Sequence, residues 1–205
     1  MRPTDSSQDP AAGFRLAILV EGGLGFLAVA LAWLLGVSLR EQFSTTASAA
    51  LRSVGWGIAA TLPLLAGFWW LVHAQAPTLR QLRNRVDQLL RELFPRANLM
   101  ELAVISALAG VTEELLFRGV VQTYLISWTM PILGLAIASL VFGAFHAMSR
   151  LYFVLTTAVG VYLGALLLWC QDLTVPIVAH GLYDFLALAY LTRALPTEVR
   201  DERSN

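Results

Sequence analysis

The chain has 205 residues, of which 57% are hydrophobic and only 14% are charged. A soluble domain of this size carries charge on about a quarter of its residues, so the composition excludes an ordinary soluble protein and indicates helices that face lipid. Formal net charge is zero, and a single cysteine rules out an internal disulfide. We expect the lipid bilayer as a partner and no nucleic acid.

Apolar stretches long enough to cross a bilayer, which takes ~20 residues, recur along the chain. They predict six transmembrane helices, over residues 14–38, 53–74, 100–127, 131–148, 151–170 and 173–194. Very short links separate the last three, so we expect these helices to pack as antiparallel neighbours. The predicted fold is an all-α, polytopic membrane helical bundle.

An amphipathic helix is predicted between the second and third spans. From Pro77 to Pro95, leucine and valine recur at spacings of three or four, with arginines between them. This pattern is typical of a helix that lies in the membrane interface with its apolar face in the headgroup region. Docking a partner and gating a substrate are the alternative roles.

The arginines predict the orientation, because basic residues concentrate on the cytoplasmic side. With the N-terminus inside, only Arg40 and Arg52 fall outside, and Arg118 lies within a span. The cytoplasmic set is Arg2, Arg15, Arg80, Arg83, Arg85, Arg91, Arg96, Arg150, Arg193, Arg200 and Arg203. We therefore expect a multi-pass protein of a bacterial-type inner cell membrane with both termini in the cytoplasm.

The third span carries three charged residues within six positions. Charges at mid-membrane depth are costly unless paired or hydrated, so each is a candidate functional residue. Glu114 and Arg118 are four positions apart and can pair on one helix face. Glu113 points about 100° away, which leaves it without that partner. A purely structural alternative is that both glutamates anchor Arg118.

Further ionisable residues lie in the fourth and sixth spans. His146 is in the fourth, and His180 and Asp184 are four positions apart in the sixth. A carboxylate and an imidazole can share the proton of an attacking water while a second polar group steadies an oxyanion. The same residue types could instead bind a divalent metal. His73, at a span end, is interpreted as interfacial.

These residues form three ordered motifs. Glu-Glu-x-x-x-Arg, Phe-x-x-x-His and His-x-x-x-Asp resemble the motifs of the CAAX-processing and bacteriocin-processing (CPBP, or Abi) membrane protease family, also called type II CAAX prenyl endopeptidase-like. The resemblance covers roughly residues 98–192. The predicted organisation is a disordered N-terminal tail (1–13), two transmembrane helices with the interfacial helix (14–97), a catalytic core that the resemblance implies (98–194) and a cytoplasmic tail (195–205).

The resemblance implies a role for each residue of a hydrolytic site. The implied site residues are Glu113, His146, His180, Asp184, Glu114 and Arg118. Glu113 and His146 would activate the attacking water, His180 and Asp184 would stabilise the oxyanion, and the other two would support the site. Asp184 stands where the prenyl-processing enzymes often have Asn, and a carboxylate is a poorer oxyanion donor than an amide unless protonated. Orienting His180 or binding a metal are its alternative roles.

The family has been described both as glutamate-dependent and as metal-dependent. A metal site, with zinc as the possible ion, would use Glu113, His146 and His180 as ligands. We favour a metal-free mechanism without a cofactor, because the His-Glu-x-x-His helix spacing of membrane metalloproteases is absent from the sequence.

The leading interpretation is an intramembrane endopeptidase that cleaves a peptide or a lipidated protein near the cytoplasmic face. The alternative is a catalytically silent membrane scaffold or immunity-type protein with the same fold. A proton-coupled transporter is a third possibility, which the lack of a visible inverted repeat disfavours.

One distance fits this interpretation poorly. Glu113 lies ~20 Å from the cytoplasmic start of its span, at 1.5 Å per residue, whereas His146 lies near the cytoplasmic end of the fourth. Straight, full-length helices would keep the two side chains apart. Either residues 98–105 lie at the surface, or the fourth span is tilted.

Overall fold

The computed structural model describes residues 11–95 and 97–194, and every regular element in these ranges is helical. The elements are α1 (Ala12–Leu35), a 3-10 helix (Arg40–Gln42), α2 (Ala47–His73), α3 (Pro77–Leu93), α4 (Leu99–Glu114), a π-helical segment (Leu115–Gln122), α5 (Thr123–Trp128), α6 (Pro131–Phe145), α7 (Arg150–Cys170) and α8 (Thr174–Ala194). The predicted all-α fold is confirmed. The two predicted tails lie outside the described residues, except that α1 already begins at Ala12.

Four helices in the described ranges are long and apolar enough to cross a membrane, namely α1, α2, α7 and α8. They correspond to the first, second, fifth and sixth predicted spans, and they make the chain a polytopic helical membrane protein. The fourth predicted span is α6, which is apolar but has only 15 residues. The third is divided among α4, the π-helical segment and α5. The total of six spans stays a prediction.

One long helix runs from Leu99 to Trp128. It begins at a capping box, in which the Asn98 side chain accepts a hydrogen bond from the Glu101 backbone and the Glu101 side chain accepts one from the Asn98 backbone. The backbone stays in the right-handed helical region at both ends of the π-helical segment. π-Helical turns occur frequently at functional sites, and this one contains Arg118.

The amphipathic helix predicted between the second and third spans is confirmed as α3. Arg83 on α3 donates hydrogen bonds from Nη1 to the carbonyls of Leu71 and Ala74, at 2.8 and 2.7 Å. These carbonyls belong to the C-terminal end of α2, where backbone acceptors lack helical partners. Arg83 therefore fixes α3 against the end of α2. Its position in the membrane interface stays a prediction.

Helices α4 and α8 approach each other at two glycines. A Cβ atom added to Gly110 would lie 2.7 Å from the backbone nitrogen of Gly181, so only glycine fits there. Small residues allow such backbone contact between membrane helices. Because Gly110 is one turn before Glu113 and Gly181 follows His180, the crossing brings the two polar segments together.

The junction of α7 and α8 is held by the Asp172 cluster, which consists of Asp172, Ser44, Ser53 and Thr174. Ser53 donates to the Asp172 carboxylate at 2.7 Å, the Thr174 backbone donates at 2.8 Å, and Ser44 also donates. Burial acts to raise the pKa of Asp172, but these hydrogen bonds outweigh it and hold the pKa below its usual value. The cluster ties the loop after α1 and the start of α2 to the junction of α7 and α8.

Candidate active site

The structure brings together all six residues that the sequence indicated. They occupy α4, the π-helical segment, α8 and the C-terminal end of α6. The contacts among them link Glu113, Glu114, Arg118, His146, His180 and Asp184 into one polar cluster. The packing of distant helices thus produces a single site.

Glu113 faces two imidazole rings. Its Oε2 lies 3.5 Å from His146 Nε2 and 4.0 Å from His180 Nε2. This oxygen is buried and accepts no hydrogen bond from the part of the chain that the structure describes. A buried acceptor without a partner is costly unless a water or substrate satisfies it. Glu113 Oε2 can therefore accept a hydrogen bond from a water molecule or from a substrate.

Glu114 and Arg118 form the ion pair that their spacing predicted. Arg118 Nη1 donates to Glu114 Oε1 at 2.8 Å, and both side chains are almost fully buried, at 2% and 0% exposed. Arg118 Nη2 also donates to the Gly160 carbonyl at 3.1 Å, and the guanidinium lies 4.3 Å from the centroid of the Phe142 ring. A buried charge pair needs such extra partners to offset the loss of hydration.

Glu114 also orients His180. The same oxygen, Oε1, lies 2.8 Å from His180 Nδ1. Since an ionised carboxylate only accepts hydrogen bonds, Nδ1 must carry a hydrogen. The opposite nitrogen, Nε2, then accepts in the neutral ring and donates in the imidazolium. His180 is almost fully buried, and its Nε2 points toward Glu113 and Asp184.

His146 caps the C-terminal end of α6. Its Nδ1 lies 2.9 Å from the Phe142 carbonyl, which can only accept, so this nitrogen also carries a hydrogen. Nε2 is left to face Glu113. The side chain is 29% exposed, whereas that of His180 is 6% exposed. His146 therefore forms the accessible wall of the site.

The short α6 explains how His146 reaches Glu113. A helix of 15 residues spans about 22 Å, less than the ~30 Å hydrocarbon core of a bilayer. Its last residue, Phe145, therefore comes well before the level at which a full-length span would end. The short α6 thus accounts for the contact between His146 and Glu113, which full-length helices would keep apart. Helix α4 begins at Leu99 as a regular helix.

Asp184 occupies the outer part of the cluster. Its Oδ2 lies 3.4 Å from His180 Nε2, and its side chain is 30% exposed. The contact between His180 and Glu114 is shorter, at 2.8 Å. His180 is thus held chiefly by Glu114, while Asp184 faces the same ring nitrogen as Glu113 does.

The metal alternative was Glu113, His146 and His180 as ligands. Among the side chains in residues 11–95 and 97–194, no group of three or more His, Cys, Asp or Glu is placed to hold a metal ion. Glu113 Oε2 is 3.5 and 4.0 Å from the two imidazole nitrogens that it faces. Two ligands of one zinc ion, each about 2.1 Å from it, are separated by comparable distances, so the metal-free mechanism stays a prediction.

Sequence reasoning missed one carboxylate, Glu21 of α1. Its Oε2 lies 2.5 Å from the Thr112 hydroxyl, directly before Glu113 in the chain. The resemblance to known motifs starts only near residue 98, so it gave no reason to inspect the first span. The available signal was a glutamate at the eighth position of the first predicted span.

Taken together, the fold and the site define a polytopic helical membrane protein with a buried carboxylate, imidazole and guanidinium cluster. Residues 95–186 match the family model described as type II CAAX prenyl endopeptidase Rce1-like. This segment is therefore similar to the Rce1-like family domain. The buried cluster of Glu113, Glu114 and His180 is consistent with the family's motif.

One relative is an uncharacterized protein, YpbD, of Bacillus subtilis (strain 168). The two are 34% identical over 97 residues, which are 46% of this chain and 47% of the relative. The alignment thus spans about half the length of each protein. No solved structure matches the chain.

Proposed function

We propose that this protein is an intramembrane endopeptidase in which Glu113 and His146 activate water for the hydrolysis of a peptide bond. The observation that carries the proposal is the buried, unpartnered Oε2 of Glu113, which faces the Nε2 atoms of His146 and His180. A water between these groups would meet one carboxylate oxygen and two ring nitrogens. The match of residues 95–186 to a family of endopeptidases supports the same reaction.

In this mechanism, Glu113 accepts a proton from the water, whose oxygen attacks the carbonyl carbon of the substrate. His146 holds the water through Nε2, because its Nδ1 is already committed to the Phe142 carbonyl. The tetrahedral intermediate then collapses and the C–N bond breaks. The proton on Glu113 passes to the leaving amine, so one carboxylate serves first as general base and then as general acid.

His180 is the proposed oxyanion donor. Its Nδ1 hydrogen bonds to Glu114, and in the imidazolium form its Nε2 hydrogen is available to the developing oxyanion. Glu113 and Asp184 both face Nε2, and their negative charge favours the imidazolium. Preorganised donors of this kind contribute strongly in a site without bulk water.

The test uses purified protein and a fluorogenic lipidated peptide, together with a pool of membrane peptides. We expect Glu113→Gln to lower kcat by about 100-fold or more, the usual contribution of a general base. Glu92→Gln removes an exposed carboxylate on α3 and serves as the matched control. A folded wild type that cleaves none of these peptides would overturn the proposal and favour the scaffold or immunity-type alternative.

A chelator separates the two versions of the chemistry. We propose the version that needs no metal, so cleavage should continue after chelation. Activity that is lost on chelation and restored by zinc would overturn the metal-free version and assign Glu113, His146 and His180 as ligands. Glu113→Gln alone does not distinguish the two versions, because both need this carboxylate.

The proposed setting is a bacterial-type inner cell membrane, crossed six times with both termini in the cytoplasm. Four long apolar helices support the crossing itself, and the arginine distribution supports the orientation. The proposed substrate is a peptide or a lipidated protein. It would approach His146 from the cytoplasmic side, since His146 lies near the cytoplasmic end of its helix in this orientation.

A further inference from the structure

Glu21 lies outside the matched family domain but beside its central residue. Helix α1 packs against α4, and a Cβ atom added to Gly25 would lie only 3.1 Å from Thr112 Cγ2. At this close approach, Glu21 Oε2 lies 2.5 Å from Thr112 Oγ1. Thr112 is buried and immediately precedes Glu113. The contact therefore joins α1 to the helical turn that carries the proposed general base.

The hydrogen bonds of the Thr112 hydroxyl indicate the protonation state of Glu21. Thr112 Oγ1 lies 3.0 Å from the Leu108 carbonyl as well as 2.5 Å from Glu21. A hydroxyl group has one hydrogen to donate, and a carbonyl and an ionised carboxylate can only accept. Both contacts are satisfied at once only if Glu21 carries a proton and donates it, while Thr112 donates to Leu108.

The balance of charges in the site also favours a protonated, neutral Glu21. Glu113 of α4 and Asp184 of α8 lie near Glu21 with the same sign of charge, whereas His180 of α8 carries the opposite charge when protonated. With Glu21, the site has four carboxylates, against one guanidinium and two imidazoles. Even with both imidazoles protonated, full ionisation would leave one negative charge unbalanced. An unbalanced charge at this depth is costly, and Glu21 is the one of these four carboxylates for which no contact with an arginine or histidine is described.

We infer that Glu21 is a positioning residue, a neutral carboxylic acid that donates a hydrogen bond to Thr112 and thereby fixes the turn that presents Glu113. The inference rests on the proposed role of Glu113. It assigns to α1, a helix outside the family domain, a direct part in the geometry of the site.

The kinetic test compares Glu21→Ala with the conservative Glu21→Gln, whose amide can still donate to Thr112. We expect Glu21→Ala to lower kcat about tenfold with little change in KM, since a misplaced general base slows the chemical step. Glu21→Gln should recover most of that loss. If Glu21→Gln is as slow as Glu21→Ala, or Glu21→Ala is as fast as the wild type, the inference is wrong.

A double variant excludes an unrelated loss of stability. Thr112→Val keeps the shape of the side chain but removes the hydroxyl, so it should lower kcat about as much as Glu21→Ala does. Combining the two should add little, because both remove the same hydrogen bond. Fully additive losses would show that the two residues act separately.

A second measurement does not depend on peptide cleavage. Infrared difference spectra of the wild type and Glu21→Gln, in an ester-free detergent at neutral pH, should show a protonated-carboxyl carbonyl band that is present only in the wild type. Glu92→Gln should leave the band in place. Absence of such a band would overturn the neutral state of Glu21, whether or not the protein proves to be a peptidase.

Discussion

The Glu114 carboxylate holds the His180 ring through a single oxygen, with 2.8 Å between Oε1 and Nδ1. The same oxygen accepts the hydrogen bond from Arg118. One buried acceptor thus fixes both a cation and the proposed oxyanion donor. The two adjacent glutamates consequently have separate roles, since Glu114 supports the site and Glu113 has an oxygen that accepts no hydrogen bond from the described residues.

The separation of roles predicts that the two glutamates differ in their effect on stability. Glu114→Gln should lower the free energy of unfolding by about 3 kcal/mol, because it leaves Arg118 as an uncompensated buried charge. Glu113→Gln should change it far less, since the Oε2 that it alters has no hydrogen-bond partner among the described residues. Thermal unfolding of both variants in detergent is the measurement. Equal destabilisation would contradict the assignment.

Asp184→Asn tests what Asp184 contributes. Because Glu114 already orients His180, we expect this variant to keep the fold and to retain cleavage within about tenfold, the loss expected for one charge-assisted hydrogen bond. Initial rates of cleavage by the wild type and the variant at one pH give this ratio. A loss as large as that of Glu113→Gln would instead make Asp184 essential to the chemical step.

The Asp172 cluster predicts a dependence of stability on pH. Asp172→Asn should lower the free energy of unfolding by about 3 kcal/mol at pH 7, because it disturbs one buried and two partly buried hydrogen bonds to a charged acceptor. The pKa of Asp172 is depressed in the fold. Its stabilising contribution is therefore complete above the pKa of the unfolded chain, about 4, and is lost as pH falls through the lower pKa of the folded state.

Denaturant unfolding at several pH values checks this prediction. The wild type and Asp172→Asn should converge in stability as the medium becomes more acidic than about pH 4. Asp87→Asn is the matched control, because the contact described for Asp87 is a surface ion pair with Arg91 on α3. A difference between the wild type and Asp172→Asn that stays constant with pH would contradict the role of the charge.

The proposed orientation can be tested at the one cysteine of the chain. Cys170 ends α7 and is partly exposed, and in the proposed topology it lies on the outer side. A membrane-impermeant maleimide should label it in intact cells. Cys170→Ser combined with Gln75→Cys moves the thiol to the loop between α2 and α3, where labelling should require broken cells. Labelling of the second variant in intact cells would reverse the orientation.

Local spacing predicted part of the site, and tertiary packing supplied the rest. The pairing of Glu114 with Arg118 follows from helix geometry, and the motif resemblance named all six residues. The contact between Glu114 and His180 joins residues 66 positions apart, so it required the crossing of α4 and α8. The π-helical segment could not be predicted from the sequence either, because its hydrogen-bond register is set by the surrounding helices rather than by residue type.

The first span shows a different reason for a missed residue. Glu21 belongs to no recognisable motif, and its partner Thr112 is an ordinary helix residue in the sequence. Only the close approach at Gly25 puts the two side chains within hydrogen-bond distance. A general search for ionisable groups inside every apolar stretch would have found Glu21, although not its partner.

The contact of Gly110 with Gly181 has a consequence for how the protein responds to its membrane. Helices adjust their tilt when bilayer thickness changes. At this crossing, backbone touches backbone, so α4 and α8 can change angle there with little change in separation. The crossing is a pivot. We expect displacements to be largest at the helix ends and smallest close to the crossing, at Glu113 and His180, which makes the spacing of these two side chains insensitive to lipid length.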